Sequence, residues 1–254
     1  DAAGVSRVQQ IDWFAGSGIV GETQDSNFYT DYDAHGTHCA GISVGKTFGW
    51  AKNARVYAQK LGGLEGASDP NNGISISNAF DCIRIWHNNK SGADANRPTV
   101  VNMSWGYGTN IANTETPVSG NYRGAAWTYG TDYATIQQVW ANVGVVPYVG
   151  TRWKIPVQVA YVDAEVADMI TDGIHVCIAA GNDYYKVDVA AGADYNNTVT
   201  FTAGTYNYHR PPSPYATGAF NVGNIDSRIL NNQDVTKPDS MKGPAVTVWA
   251  PGTN

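Results

Sequence analysis

The residues with most chemical potential lie in Asp31–Gly41, DYDAHGTHCAG. His35 heads a run of small residues, Gly36, Thr37, Cys39, Ala40 and Gly41, with a second histidine, His38, inside it. Of the side chains, only histidine has an unperturbed pKa near neutrality, so His35 is the first candidate for a general base. The small residues predict close backbone packing beneath it. Asn182, after Gly181 in AAGN, is the second candidate, because a side-chain amide on a flexible turn can donate to a developing oxyanion. Other chemistries use the same residues. His35 and His38 with Asp33 suggest a metal pair, but no third histidine or glutamate sits at metal spacing nearby. Cys39 and His35 could form a dyad, although Cys39 belongs to the packed run and is expected to be a buried thiol under the helix. Asp31 and Asp33 are expected to shape the loop before the helix.

The elements that must position these groups alternate. Val8–Phe14 predicts a strand. Thr37–Val44 predicts a short helix stopped at Gly45, too rich in glycine to stand unless buried. Ala54–Leu61 is the next strand, 62–73 a loop, and 74–88 a helix capped by Ser75 or Ser77, with a stripe of Ile76, Ala79, Phe80, Ile83 and Trp86. Strand Pro98–Trp105 follows. Residues 107–160 have no clean period and are rich in aromatics; they read either as a lid or specificity surface over a cleft or as a surface subdomain with its own small core. Asp163 predicts a helix cap, with Val166, Met169 and Ile170 on the apolar face and Gly173 as the stop. Strand Ile174–Ala180, a loop-rich stretch 183–218, and strands at 220–225 and 245–249 complete the order. Histidine at 175 is expected to be hydrogen-bonded within the core strand. His87 and His209 have no motif context, and Cys82 and Cys177 read as small core residues. Continuous apolar strands alternating with helices indicate an α/β protein with a parallel sheet, whose ligands sit at strand carboxyl ends.

The 254 residues can bury a sizeable core, with 43% hydrophobic residues. A net charge of -6 argues against nucleic acid as a partner. No run approaches the roughly 20 apolar residues of a membrane span, so no membrane partner is expected either. Three cysteines without CxxC spacing leave at least one unpaired within the chain. Asp1 is not an initiator methionine, which predicts a processed chain or a fragment.

Four segments stand in one order: HGTHCAG (35–41), VVNMSWG (100–106), AAGN (179–182) and VTVWAPG (246–252). This order resembles the subtilisin-like serine proteases (subtilases, peptidase S8), and the cysteine in HGTHCAG is similar to the proteinase K branch. The resemblance covers 31–106 and 162–254. It implies a three-layer fold, a central mostly parallel sheet flanked by helices, in a single peptidase domain spanning 1–254, incomplete at both ends, with an aromatic-rich insertion at about 107–160. It implies a serine endopeptidase with His35 as base and Asn182 in the oxyanion hole, and with Ala180 and Gly181 among the substrate-binding residues. Ser104, Trp105 and Gly106 would line one side of the substrate and Gly66, Ala67 and Ser68 the other, holding a peptide or unfolded protein as an added strand. His38 would be structural.

Two departures stand out. The family's serine lies in a GTSMA-type motif after the APG segment, and no such motif occurs through Asn254. Asp12 is followed by Trp13-Phe14 rather than Ser/Thr-Gly, so the aspartate of the triad is expected before Asp1, with Asp12 the alternative. The resemblance requires no cofactor and admits a structural calcium ion. A monomer is expected, secreted or virion-associated. The rival readings are a non-catalytic subtilase-like peptide-binding or structural module and a metal hydrolase built on His35 and His38.

Overall fold

The computed structural model describes residues 6–62, 73–230 and 233–253. Its contacts divide the chain into two compact units, Asp1–Thr99 and Val100–Asn254. In the first, strand β1 (Val8–Gln9) pairs in parallel with β2 (Val56–Tyr57), and helices α1 (His35–Val44) and α2 (Ile76–Asn89) follow the loops between and after them. Both strands are shorter than the sequence suggests. After Gln9 the chain turns, because Asp12 Oδ1 accepts from the N–H groups of Phe14 and Ala15. Trp13, Phe28, Ile74, Ala79 and Cys82 form the core of the unit, with Ile83 and Trp86 packed against it. That is most of the expected helical stripe, joined by Cys82, whose thiol burial pushes up to about 11. Ser75 occupies the N-cap of α2 but makes no side-chain cap bond. Glu22 does that work from outside the helix. Its carboxylate accepts from the Ser75 N–H (3.3 Å) and hydroxyl (2.6 Å) and from Asn78 Nδ2 (2.5 Å), placing negative charge at the positive helix end.

The second unit begins with β3 (Val100–Met103), β4 (Gly108–Ala112), β5 (Ser119–Tyr122), β6 (Ala125–Thr128), α3 (Ile136–Val143), β7 (Arg152–Pro156), α4 (Ala160–Thr171) and β8 (His175–Ala179). It continues with β9 (Thr198–Phe201), β10 (Gly204–Asn207), β11 (Phe220–Leu230), β12 (Gln233–Thr236) and β13 (Val248–Thr253). Strands β3, β8, β11 and β13 run parallel, and β12 folds back antiparallel on β11. The α/β expectation is met here: a mostly parallel sheet, with buried Val162, Val166 and Met169 on one face of α4. Val159 caps α4, so the expected cap at Asp163 is corrected. Its Oδ1 accepts instead from the Tyr215 N–H at 2.9 Å. His175, expected as a core hydrogen-bonder, is exposed at the start of β8. Cys177 is half-buried.

Residues 107–160 are neither a separate subdomain nor unstructured. A two-residue turn, Arg123 (φ 51) and Gly124 (φ 86), joins β5 to β6, as the right-handed twist of a hairpin requires. Strand β5 then pairs antiparallel with β9, and β9 with β10, in a second sheet that the loop-rich reading of 183–218 does not anticipate. Ile111, Trp127, Val139, Val143, Trp153 and Ile155 from this stretch share one core with Ala180, Tyr185, Phe201, Tyr208 and Met241.

A buried polar cluster ties the stretch down. Asp194, 1% exposed, accepts from Arg123 Nε (2.6 Å) and Nη2 (2.9 Å), from Lys186 Nζ, and from Asn197 Nδ2 (3.1 Å). Asn197 Nδ2 also donates to His209 Nδ1 at 2.9 Å, which leaves the ring proton on Nε2, the side facing Gly144. His209 is 3% exposed, and burial lowers its pKa to about 4. Between pH about 6.5 and about 4 the unfolded chain therefore binds a proton that the folded chain refuses, and stability falls as pH falls through that window. The span corresponds to about 3 kcal/mol at most. Arg123 holds the Asp194 carboxyl below the usual carboxylate range, so the loss continues in stronger acid. Melting temperatures measured from pH 7 to pH 4 should drop steadily, and His209→Gln, though less stable at pH 7, should show a flatter profile above pH 4.

Candidate active site

The histidine segment begins with a carboxylate. Asp31 Oδ1 accepts from the N–H groups of Asp33 (3.1 Å) and Ala34 (2.7 Å), and Oδ2 accepts from the N–H (3.0 Å) and hydroxyl (2.5 Å) of Thr37. These bonds draw the Asp31 carboxyl below its ordinary pKa, the Thr37 hydroxyl contributing most. They also hold Ala34 in the left-handed region (φ 62), the geometry from which α1 starts at His35 rather than at Thr37. The loop role expected for Asp31 is thus the capping role, filled from four residues ahead of the helix.

His35 is exposed at the first position of α1. The expectation that α1 is buried and tightly packed is corrected. None of its residues is buried. A Cβ on Gly36 would approach only Asp31 Oδ2, at 4.0 Å, and one on Gly41 would meet nothing within 4 Å. The close approach occurs one turn later. A Cβ on Gly45 would come within 2.4 Å of Gly41 O and one on Gly49 within 2.0 Å of Gly45 N, because the chain doubles back with Trp50 and Ala51 donating to the carbonyls of Ile42 and Ser43. The small residues therefore permit a tight return of the chain, not a tight floor. Cys39, expected to be buried, is a half-buried free thiol whose Sγ lies 3.8 Å from His35 Nε2. Among the described residues no group of three or more His, Cys, Asp or Glu is arranged to hold a metal ion.

Asn182 belongs to the second unit and is exposed on the turn after β8. Ala180 is fully buried, with its N–H bonded to Val222 O at 2.9 Å. Gly181 (φ 108) accepts from Met241 N–H at 2.9 Å, and a Cβ there would strike Met241 Sδ at 2.6 Å. Only glycine satisfies both constraints. Three residues after Gly181, Tyr184 also takes a left-handed φ of 65, with its N–H bonded to Asp239 O. The turn that carries Asn182 is thus bracketed by two uncommon backbone conformations.

Ser104, Trp105 and Gly106 continue from β3, which has β8 alone as a partner among the described residues. Asn102 Nδ2 donates to Ser104 Oγ (2.9 Å), in line with a structural role for Asn102, and Trp105 meets Tyr107 edge-on. Among the described residues no backbone group of Ser104–Gly106 is hydrogen-bonded to another backbone group; pairing resumes at Tyr107, whose N–H donates to Ser213 O. Gly66, Ala67 and Ser68 lie outside the described residues. Sequence reasoning did not find Lys154, whose Nζ meets Asp183 Oδ1 at 2.9 Å directly beside Asn182. It lies in the stretch without period, and a lone lysine there carries no signal. Among the described residues no helix is long and apolar enough to cross a membrane.

Comparison with known proteins bears on these segments together. Subtilisin-like protease 5 of Arthroderma otae is 26% identical over 241 residues, covering 95% of this chain and 40% of the relative. Subtilisin-like protease 1 of the same species is 40% identical over 88 residues, 35% of this chain and 17% of the relative. A crystal structure of a cold adapted subtilisin-like serine proteinase superimposes with a TM-score of 0.45 at 21% identity, covering 87% of this chain and 50% of that one. The chain spans about two fifths of the length of the relatives that it matches throughout. The model of the subtilase family matches residues 15–254, a range that takes in all four motif segments, and the chain belongs to that family.

Proposed function

We propose that the protein is a serine endopeptidase in which His35 is the general base and Asn182 the oxyanion donor. The observation that carries this reading is the subtilase match over residues 15–254, which includes both HGTHCAG and AAGN. The nucleophilic serine and the aspartate that orients His35 are assigned to residues outside these 254. The Asp12 carboxylate already serves two backbone N–H groups of its own turn, which favours another aspartate for that role. The single-domain organisation expected from the motif order is part of the same proposal.

The chemistry follows from the groups. The serine hydroxyl attacks the scissile carbonyl carbon while the His35 imidazole takes its proton, so the nucleophile is never a free alkoxide. The carbonyl oxygen gains negative charge, and the Asn182 amide N–H donates to it. His35 then gives the proton to the leaving amine, and water repeats the sequence on the acyl-enzyme. The unpaired backbone of Ser104–Gly106 suits a substrate held as an added strand, and Gly66, Ala67 and Ser68 would supply the opposite edge. Cys39 touches the base but does not replace the nucleophile in this scheme.

Turnover of an unfolded protein substrate by the full-length protein is the test. His35→Ala should lower it by about 10³ or more. Asn182→Ala should lower it by about 10²–10³, a range obtained on a subtilisin itself. A fluorophosphonate should label a serine and abolish activity. Activity that survives His35→Ala defeats the proposal, and an inert full-length protein that still binds peptide supports the non-catalytic module instead.

Two variants probe the surroundings. Cys39→Ala should keep most of the activity, while a bulky maleimide on Cys39 should block it by crowding His35. Gly181→Ala should cost about 1–3 kcal/mol of stability, measured by denaturant unfolding, because both its φ and the Met241 sulfur oppose a side chain.

A further inference from the structure

Lys154 sits in the middle of β7, between Trp153 and Ile155, which are both fully buried. Those neighbours fix the strand in the core and leave the lysine pointing the other way. Across the β4–β7 ladder it stands opposite Asn110. Its stem passes over Gly108, where an added Cβ would lie 3.7 Å from Lys154 Cγ and 3.8 Å from Cε. Its Nζ ends 2.9 Å from Asp183 Oδ1. The Asp183 side chain is only 11% exposed, and Lys154 is its ion-pair partner among the described residues. Asp183 directly follows Asn182, inside the turn whose ends are Gly181 (φ 108) and Tyr184 (φ 65).

We propose that Lys154 is a positioning residue: through Asp183 it fixes the turn that presents the Asn182 amide. The inference rests on the oxyanion role proposed for Asn182. It gives the 107–160 stretch a function that is neither lid nor specificity surface, since β7 belongs to that stretch and reaches the turn through this ion pair. An exposed lysine–carboxylate pair contributes little. This carboxylate is mostly buried, so loss of the lysine strands a charge and gives the turn a reason to open. A donor displaced by a fraction of an ångström loses much of its effect on the transition state and little of its effect on substrate binding.

The experiment uses the full-length protein with Lys154→Met, Lys154→Arg and the double variant Lys154→Gln/Asp183→Asn. The double variant removes both charges and so folds without a stranded carboxylate. Amide exchange at Tyr184, whose N–H is bonded to Asp239 O, should quicken about tenfold in Lys154→Met and in the double variant, with α4 unchanged, and return to the wild-type rate in Lys154→Arg. In the same variants kcat should fall about tenfold with KM within twofold, and Lys154→Arg should restore it. Combined with Asn182→Ala, Lys154→Met should cause no further loss, because the donor it positions is gone. Unchanged exchange and unchanged kcat in both Lys154→Met and the double variant overturn the proposal, as does a full additional loss on the Asn182→Ala background. If Asn182→Ala itself leaves kcat intact, the oxyanion reading fails and the positioning role fails with it. The exchange result then stands alone as a measure of the ion pair.

Discussion

A carboxylate with 1% of its surface exposed must have its charge matched, and the second unit is arranged around that requirement at Asp194. Arg123 comes to it from the β5–β6 turn, Lys186 from the segment after the Asn182 turn, and Asn197 from the loop just before β9. Asn197 also fixes Arg123 from a second direction, its Oδ1 accepting the Arg123 N–H at 2.6 Å. Arg123 can therefore hold a left-handed φ that a side chain disfavours. The antiparallel register of β5 on β9 follows, since the turn beyond β5 and the loop before β9 are pinned to the same carboxylate. Asp188 completes the closure by accepting the Asp194 N–H at 2.9 Å. Loops with no hydrophobic period thereby acquire one conformation.

The turn after β8 depends on this platform. Its first residue, Gly181, is held by Met241, and the residue that leaves it, Tyr185, is buried with its hydroxyl near Val146 O. Lys186, one step further, joins Arg123 as a cation on Asp194. From Gly181 to Lys186 nearly every residue is thus tied to something, while Asn182 alone combines an exposed side chain with a central position in the turn. That arrangement suits the donor role proposed for Asn182. Rigid neighbours remove the cost of ordering it when charge develops.

The legible parts of this chain were those with local signals. Strand β8 was readable because Ile174–Ala180 is a continuous apolar run, and α2 because Ala79, Phe80, Ile83 and Trp86 repeat at helical spacing. The segments that hold His35 and Asn182 were readable as motifs of the family whose match spans residues 15–254. What failed was everything set by partners distant in sequence. Strands β5 and β9 pair across about eighty residues, with Ser119 opposite Thr200, and neither carries an alternating pattern strong enough to announce it. Glu22 caps α2 from more than fifty residues away, so Ser75 looked like the cap and was only its site. Asp163 looked like a cap by type, yet its carboxylate serves Tyr215. His209 gave no signal at all, since its role depends on Asn197 and on Gly144, which meet it only in the folded chain. The glycines of HGTHCAG misled in a different way. Their smallness is real, but the contact it permits lies at Gly45 and Gly49, past the end of the motif.

The two proposed chemical groups are held by different physics. Asn182 rides on a turn secured by burial, backbone strain and ion pairs. His35 heads a helix with no buried residue, whose first turn is organised by a single carboxylate, Asp31, and whose last is closed by the returning chain at Trp50 and Ala51. Without burial, the geometry at His35 rests on four hydrogen bonds to Asp31 and on the αL conformation they impose at Ala34. Such bonds are worth about 0.5–1.5 kcal/mol each when net, and more when the acceptor is charged. They cap α1 without filling the surface around the imidazole. As the proposed general base, His35 needs that freedom: one ring nitrogen carries the proton in transit and the other must meet the orienting carboxylate. The segment thus fixes where His35 stands, and among the described residues the sulfur of Cys39 is the side-chain group that lies near its ring.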